Sequence, residues 1–267
     1  MGSIHPSAIV EGGADLSDDV TIGPYCVVSG GVKLGAGVRL HSHVVVGGTT
    51  TIGPGCEIFP FASIGLPPQD RKYRGEDNRL EIGRDCVIRE HVTINPGTEG
   101  GGRLTRIGDG CLLLVGAHVA HDCTLGDRVT LVNNATLAGH CRIGDHVILG
   151  GLSAVHQFVR IGDHAFVGGM SGLENDLIPF GSALGNRAAL GGLNIVGLTR
   201  HGYSREAIHS LRRAYRVLFG PEGTLKERLA DVEDEFADDV NVRKIVAFIR
   251  EGGERAICTP RARGPDF

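Results

Sequence analysis

The chain has 267 residues, a formal net charge of −4, 42 glycines, 5% aromatic residues and no tryptophan. That length can bury a sizeable core, but not one built on large rings, and the charge offers no global field for nucleic acid or an anionic membrane. No apolar run reaches the roughly 18 residues of a membrane span. The opening MGSIHPSAIV lacks the basic flank and apolar stretch of a signal peptide.

From Ile4, steps of six residues land on Val10, Leu16, Ile22 and onward to Ile64 without an exception. The pattern resumes at Ile82, Ile88 and Ile94, and again from Ile107 to Leu173, so all 26 stops are Ile, Leu or Val. Glycine often follows a stop (Gly23, Gly35, Gly53, Gly83, Gly108, Gly126, Gly144, Gly162), and the position two before is small or β-branched. A period of six fits neither an amphipathic helix nor a simple meander. It fits a short strand, a tight corner and another short strand. Three such sides make a coil of 18 residues, and coils stack at about 4.8 Å. The expected fold is therefore mainly β, a parallel β-helix. Cys26, Cys56, Cys86, Cys111, Cys123 and Cys141 each fall four residues after a stop, which makes them small buried hydrophobes. Cysteines used this way suit a reducing, cytoplasmic compartment. Cys258, in the tail, receives no role.

The period breaks at 66–80 (LPPQDRKYRGEDNRL) and at 97–106 (GTEGGGRLTR), both expected as protruding loops, where function commonly resides. Beyond residue 190 it fades. Ser204 is a plausible N-cap for a helix over 203–219 with Ala207, Leu211, Ala214 and Leu218 on its apolar face, and Gly220 and Pro221 stop it. Further helices are expected over 224–236 and 242–251. The division is a β-helix over 1–190 and a helical domain over 191–267. Flat apolar sides on such a prism predict a symmetric oligomer.

The segments FASIGLPPQDRKY (61–73), AHVAHDCTLG (117–126), NNATLAGH (133–140), AVHQF (154–158) and HGYSREAI (201–208), in this order, carry a resemblance. The chain resembles the left-handed β-helix acyltransferases, and within them the UDP-N-acetylglucosamine O-acyltransferase family of lipid A synthesis. The resemblance implies a homotrimer with active sites between subunits and no metal or organic cofactor. The implied reaction carries an (R)-3-hydroxyacyl chain from acyl carrier protein to the sugar 3-hydroxyl. The repeats begin at Ile4, which leaves no room for the extra N-terminal domain of the related N-acyltransferases.

Thioester-to-alcohol transfer needs a base, and neutral imidazole suits it. His121 matches that base and Asp122 its orienting carboxylate, although either could be an outward corner residue. One coil beyond His121 lies Gly139, whose amide is the implied oxyanion donor, and Asp122 stacks over His140. His118, His140, His156 and Gln157, with Asp70 and Lys72 on the first loop, match substrate-contacting positions. Asn194 and Arg200 match the nucleotide side, and Arg suits a diphosphate. Val196 and His201 depart from the family, which carries an acidic residue and a second arginine there. Gly169 matches the acyl-length position, where glycine leaves room for a longer chain. Arg205, His209, Arg212 and Arg216, with Arg213 adjacent, form a basic stripe suited to an acidic carrier protein.

A zinc enzyme of the γ-carbonic anhydrase type uses a similar prism, with His118, His121, His140 and His156 as possible ligands. An acetyl-CoA-dependent acetyltransferase shares the base chemistry but not the AVHQF and HGYSRE segments. A non-catalytic solenoid would leave HDC (121–123) idle.

Overall fold

The computed structural model describes residues 2–261. Short parallel strands, most of two residues, form three sheets of 11, 9 and 8 strands. The chain visits the sheets in rotation. Thr124 and Leu125 pair with Arg142 and Ile143, a register of one coil. The architecture is thus a parallel β-solenoid of three faces, as the six-residue period requires. Every stop from Ile22 onward is buried. Ile4, Val10 and Leu16 are not, because their terminal coil has a neighbour on one side only.

The three edges of the prism have different chemistry. The edge between the 11- and 9-stranded sheets bears a ladder of rings, Tyr25, His43, Phe61 and His91, with centroids 5.0–5.1 Å apart. We call it the aromatic edge. The edge from the 8-stranded sheet back to the 11-stranded sheet is the aspartate edge. Asp127 accepts from the amide of Asp109 at 2.8 Å, Asp145 from Asp127 at 2.8 Å, and Asp163 from Asp145 at 3.1 Å. The third is the histidine edge, where His121 and His140 lie on successive coils.

Both long loops leave from the histidine edge, between Ser63–Ile64 and Arg79–Ile82 and between Thr93–Ile94 and Leu104–Ile107. Each is shorter than the sequence predicts. Arg79, Leu80 and the segment 104–106 already lie in strands, since Arg79–Ile82 pairs along its whole length with Leu104–Ile107. The coil is completed there in spite of the charged residues.

After the last coil come an antiparallel hairpin, Gly181–Leu184 with Ala189–Leu193, and a short helix α1, Ile195–Arg200. Neither is visible in the six-residue period. Then follow α2 (Arg205–Leu218), α3 (Leu225–Glu235) and α4 (Val240–Glu251). Ser204 caps α2 as expected, accepting from the Ala207 amide. Its buried face is Ile208, Leu211, Ala214 and Leu218, with Ile208 in the place expected for Ala207. Helix α4 starts two residues early because Asp239 caps it through the Asn241 and Val242 amides. Arg160, held in a buried ion pair within the β part, joins helix α4 to the prism, its guanidinium donating to the Phe248 carbonyl at 3.1 Å. Arg160 Nε donates to Asp176 Oδ2 at 2.8 Å, while its guanidinium lies 4.3 Å from the Phe248 ring centroid of α4. All seven cysteines are buried thiols, Cys258 included. Among the described residues no helix is long and apolar enough to cross a membrane.

Candidate active site

His121 and Asp122 occupy a corner of the histidine edge, and Asp122 takes the left-handed conformation (φ 61°) that turns it. A short polar side chain bears that conformation better than most. The His121 Nδ1 lies 2.7 Å from Asp122 Oδ2. Asp122 also accepts from the Thr98 amide (2.7 Å) and hydroxyl (2.6 Å), and its own amide donates to Thr105 Oγ1 (2.8 Å). Burial of the side chain, 1% exposed, works against ionisation. The bonds from His121 and Thr98 outweigh it and hold the carboxyl below its usual range. An ionised carboxylate only accepts, so His121 Nδ1 carries the proton and Nε2 is left as the basic nitrogen.

Gly139 lies one coil on, beside that ring. A β carbon there would sit 2.6 Å from His121 Cε1 and 2.8 Å from Nε2. His140 donates its amide to the His121 carbonyl (3.0 Å), and its Nε2 is 3.9 Å from Asp122 Oδ2. It is fixed edge-on to His121 at 5.0 Å and face-on to Phe158 at 4.5 Å. Burial lowers its pKa, partly countered by Asp122.

Asp70 and Lys72 share with His140, Phe158 and Thr98 a cavity of about 490 Å³. A second cavity, of about 400 Å³, is lined by Asp122, His140, Arg142, Phe158 and the segment 252–254. His118 is turned to the Thr93 hydroxyl, 2.7 Å from Nδ1, and burial lowers its pKa. His156 Nδ1 accepts from Arg255 at 2.7 Å, and Gln157 is exposed beside it. Within one chain, among the described residues, the four histidines do not converge on a common point. Only His121, Asp122 and His140 bring ligand atoms within 4.8 Å of one another there.

Three expected positions lie on other edges of the same chain. Asn194 and Arg200 bracket α1 over the aspartate edge. The Asn194 side chain is engaged in capping, accepting from the Gly197 amide (3.0 Å) and donating to the His164 carbonyl (2.9 Å). Gly169 lies on the aromatic edge, next to exposed Met170 and Leu152. Arg205, His209, Arg212 and Arg216 are exposed along α2, whereas Arg213 is tied to Glu235 within the helical region.

The family model for the second domain of UDP-N-acetylglucosamine O-acyltransferase matches residues 176–258, and the bacterial transferase hexapeptide model matches 13–48 and 104–139. The acyl-[acyl-carrier-protein]–UDP-N-acetylglucosamine O-acyltransferase of Methylobacterium radiotolerans is 71% identical over 97% of this chain and 95% of its own. The chain belongs to that acyltransferase family. The homologue of the same name in Azorhizobium caulinodans is 52% identical over 96% of this chain and 95% of its own. The crystal structure of the Moraxella catarrhalis enzyme superposes with a TM-score of 0.92 at 41% identity, covering 96% of this chain and 99% of that one. Family membership sets aside the zinc-enzyme and acetyl-CoA readings.

Sequence reasoning missed Thr98, Thr105, Phe158 and Gly101, where a β carbon would overlap the Asp122 carboxylate. Coil arithmetic carried through the second loop would have found Thr105, since Arg106 pairs with Thr124 and Ile107 with Leu125.

Proposed function

We propose that the chain transfers an (R)-3-hydroxyacyl group from acyl carrier protein to the 3-hydroxyl of UDP-N-acetylglucosamine, opening lipid A synthesis in the cytoplasm. The observation that carries this reading is the His121–Asp122 pair beside Gly139. His121 Nε2 takes the proton of the sugar hydroxyl as its oxygen attacks the thioester carbonyl. Asp122 fixes the tautomer and stabilises the imidazolium. The Gly139 amide faces the developing oxyanion. Collapse of the tetrahedral intermediate breaks the C–S bond, and the proton passes from His121 to the departing thiolate. No metal or organic cofactor takes part at the reacting atoms.

The working form is a homotrimer of left-handed prisms. In support, the expected substrate residues are distributed over three edges of one chain, and a ring of three copies would set different edges face to face. His118, His140, His156, Gln157, Asp70 and Lys72 would hold the sugar and acyl groups from the histidine edge, and Asn194 and Arg200 the nucleotide from the aspartate edge. Residues 1–190 supply the scaffold, and 191–267 the carrier-docking surface through Arg205, Arg212 and Arg216. Gly169 leaves the acyl groove open for a longer chain.

The test is transfer by metal-stripped protein with UDP-N-acetylglucosamine and a panel of (R)-3-hydroxyacyl carrier proteins. Activity that survives chelation and favours a fourteen-carbon over a ten-carbon donor is expected. Preference for the ten-carbon donor removes the Gly169 argument, and absence of transfer removes the reaction. Charge reversal at Arg212 and Arg216 should raise KM for the carrier protein and weaken its salt dependence; unchanged kinetics would take docking away from α2.

A further inference from the structure

A second group of histidines lies on the aspartate edge, away from His121 and beside Asn194 and Arg200, the residues proposed to hold the nucleotide. His146 and His164 occupy equivalent corners of successive coils on the aspartate edge, both in the left-handed conformation at φ 58°. Their rings stack 4.7 Å apart at an interplanar angle of 6°. His201, which ends α1, stands edge-on to both at 4.7 and 4.9 Å. The three offer nitrogen atoms within 4.8 Å of one another. Packing accounts for the position of His164, which also touches Tyr203 (5.4 Å) and Phe180 (5.9 Å). It does not account for His164 Nδ1, which is buried without a hydrogen-bond partner among the described residues. Burying a ring nitrogen unpaired is unfavourable.

We infer that His146, His164 and His201 form a binding site for a divalent transition-metal ion of the zinc or cobalt class, remote from the reacting atoms. Imidazole is the ligand these ions prefer, and a donor set of three nitrogens offers magnesium or calcium nothing. Asp163 is already committed: one oxygen accepts from the Asp145 amide, the other lies 3.3 Å from Lys244 Nζ. A water completes a tetrahedron. With metal–nitrogen distances of about 2.0–2.1 Å the nitrogens must close to roughly 3.4 Å. Lone pairs in parallel ring planes do not converge, so His146 must also turn out of its stack with His164, while the exposed His201 rotates in to meet them.

The experiment titrates untagged, metal-stripped protein with Co²⁺, read by visible absorption, and with Zn²⁺, read by calorimetry. One ion per chain with tetrahedral Co²⁺ bands is expected. His201→Ala, at an exposed side chain, should weaken binding by more than the roughly 10- to 100-fold that loss of an outer-shell partner costs, with an unchanged circular-dichroism spectrum. His140→Ala should leave the titration unchanged. No uptake, uptake that survives His201→Ala, or uptake lost in His140→Ala would each overturn the assignment, the last by placing the ion on the histidine edge.

Discussion

The histidine and aspartate edges are built from the same backbone. Around the candidate site three successive corners of each edge turn on a left-handed residue: Asp122, His140 and Phe158 on one, Arg128, His146 and His164 on the other. On the aspartate edge the preceding aspartates bond amide to carboxylate along the stack, which satisfies the corner from within. On the histidine edge no such ladder forms. Two loops instead fold over it and bring Thr98 against Asp122, and the polar groups are turned on one another and on open cavities. One corner geometry is thus structural or reactive according to what occupies it.

That contrast can be broken in order of severity. His121→Ala should lower kcat/KM by about 10²–10⁴-fold, the range for loss of a positioned base, with an unchanged melting temperature. An equal loss of melting temperature would make His121 a scaffold residue. Gly139→Ala keeps the amide but drives a methyl group into the His121 ring. Displacement of a catalytic group on that scale costs about 10²-fold, visible in steady-state kinetics. Asp127→Ala on the aspartate edge should do the opposite, sparing kcat/KM within a factor of about two while lowering stability by about 1 kcal/mol in denaturant titration. The smallest effect concerns His118. Its pKa is lowered in the fold, so as pH falls below about 6.5 the unfolded chain binds a proton first and stability is lost. His118→Gln should flatten that slope between pH 7 and 5, and an unaltered slope would mean that the ring is not held neutral.

The prism was legible because its period is carried by aliphatic residues that are buried at nearly every stop. The stacking of Gly139 beside His121 was legible for the same reason, as a matter of counting by coils. The bonds that hold Asp122 were not. Thr98 and Thr105 lie within a stretch that breaks the count, so which residue meets which depends on how the loop closes. The grouping of site residues on one edge was legible only in part, because Asn194 reaches the aspartate edge through a hairpin that lies outside the repeat. Arg213 illustrates the remaining difficulty. Its spacing is that of an exposed basic face, and only the neighbouring helix α3 shows that Glu235 takes its charge.

The left-handed corners have a consequence for engineering. Outside glycine that conformation costs about 1–2 kcal/mol per residue, less for asparagine and aspartate. Asp122, His140 and Phe158 hold it one above another at the centre of the candidate site. A programme that selects only for heat resistance would be drawn to glycine or asparagine at those three positions, and would harvest a sturdier prism that no longer turns over. Thermostabilising libraries for this fold are therefore better directed at Tyr25, His43 and His91 on the aromatic edge, where the same conformation recurs away from the dyad.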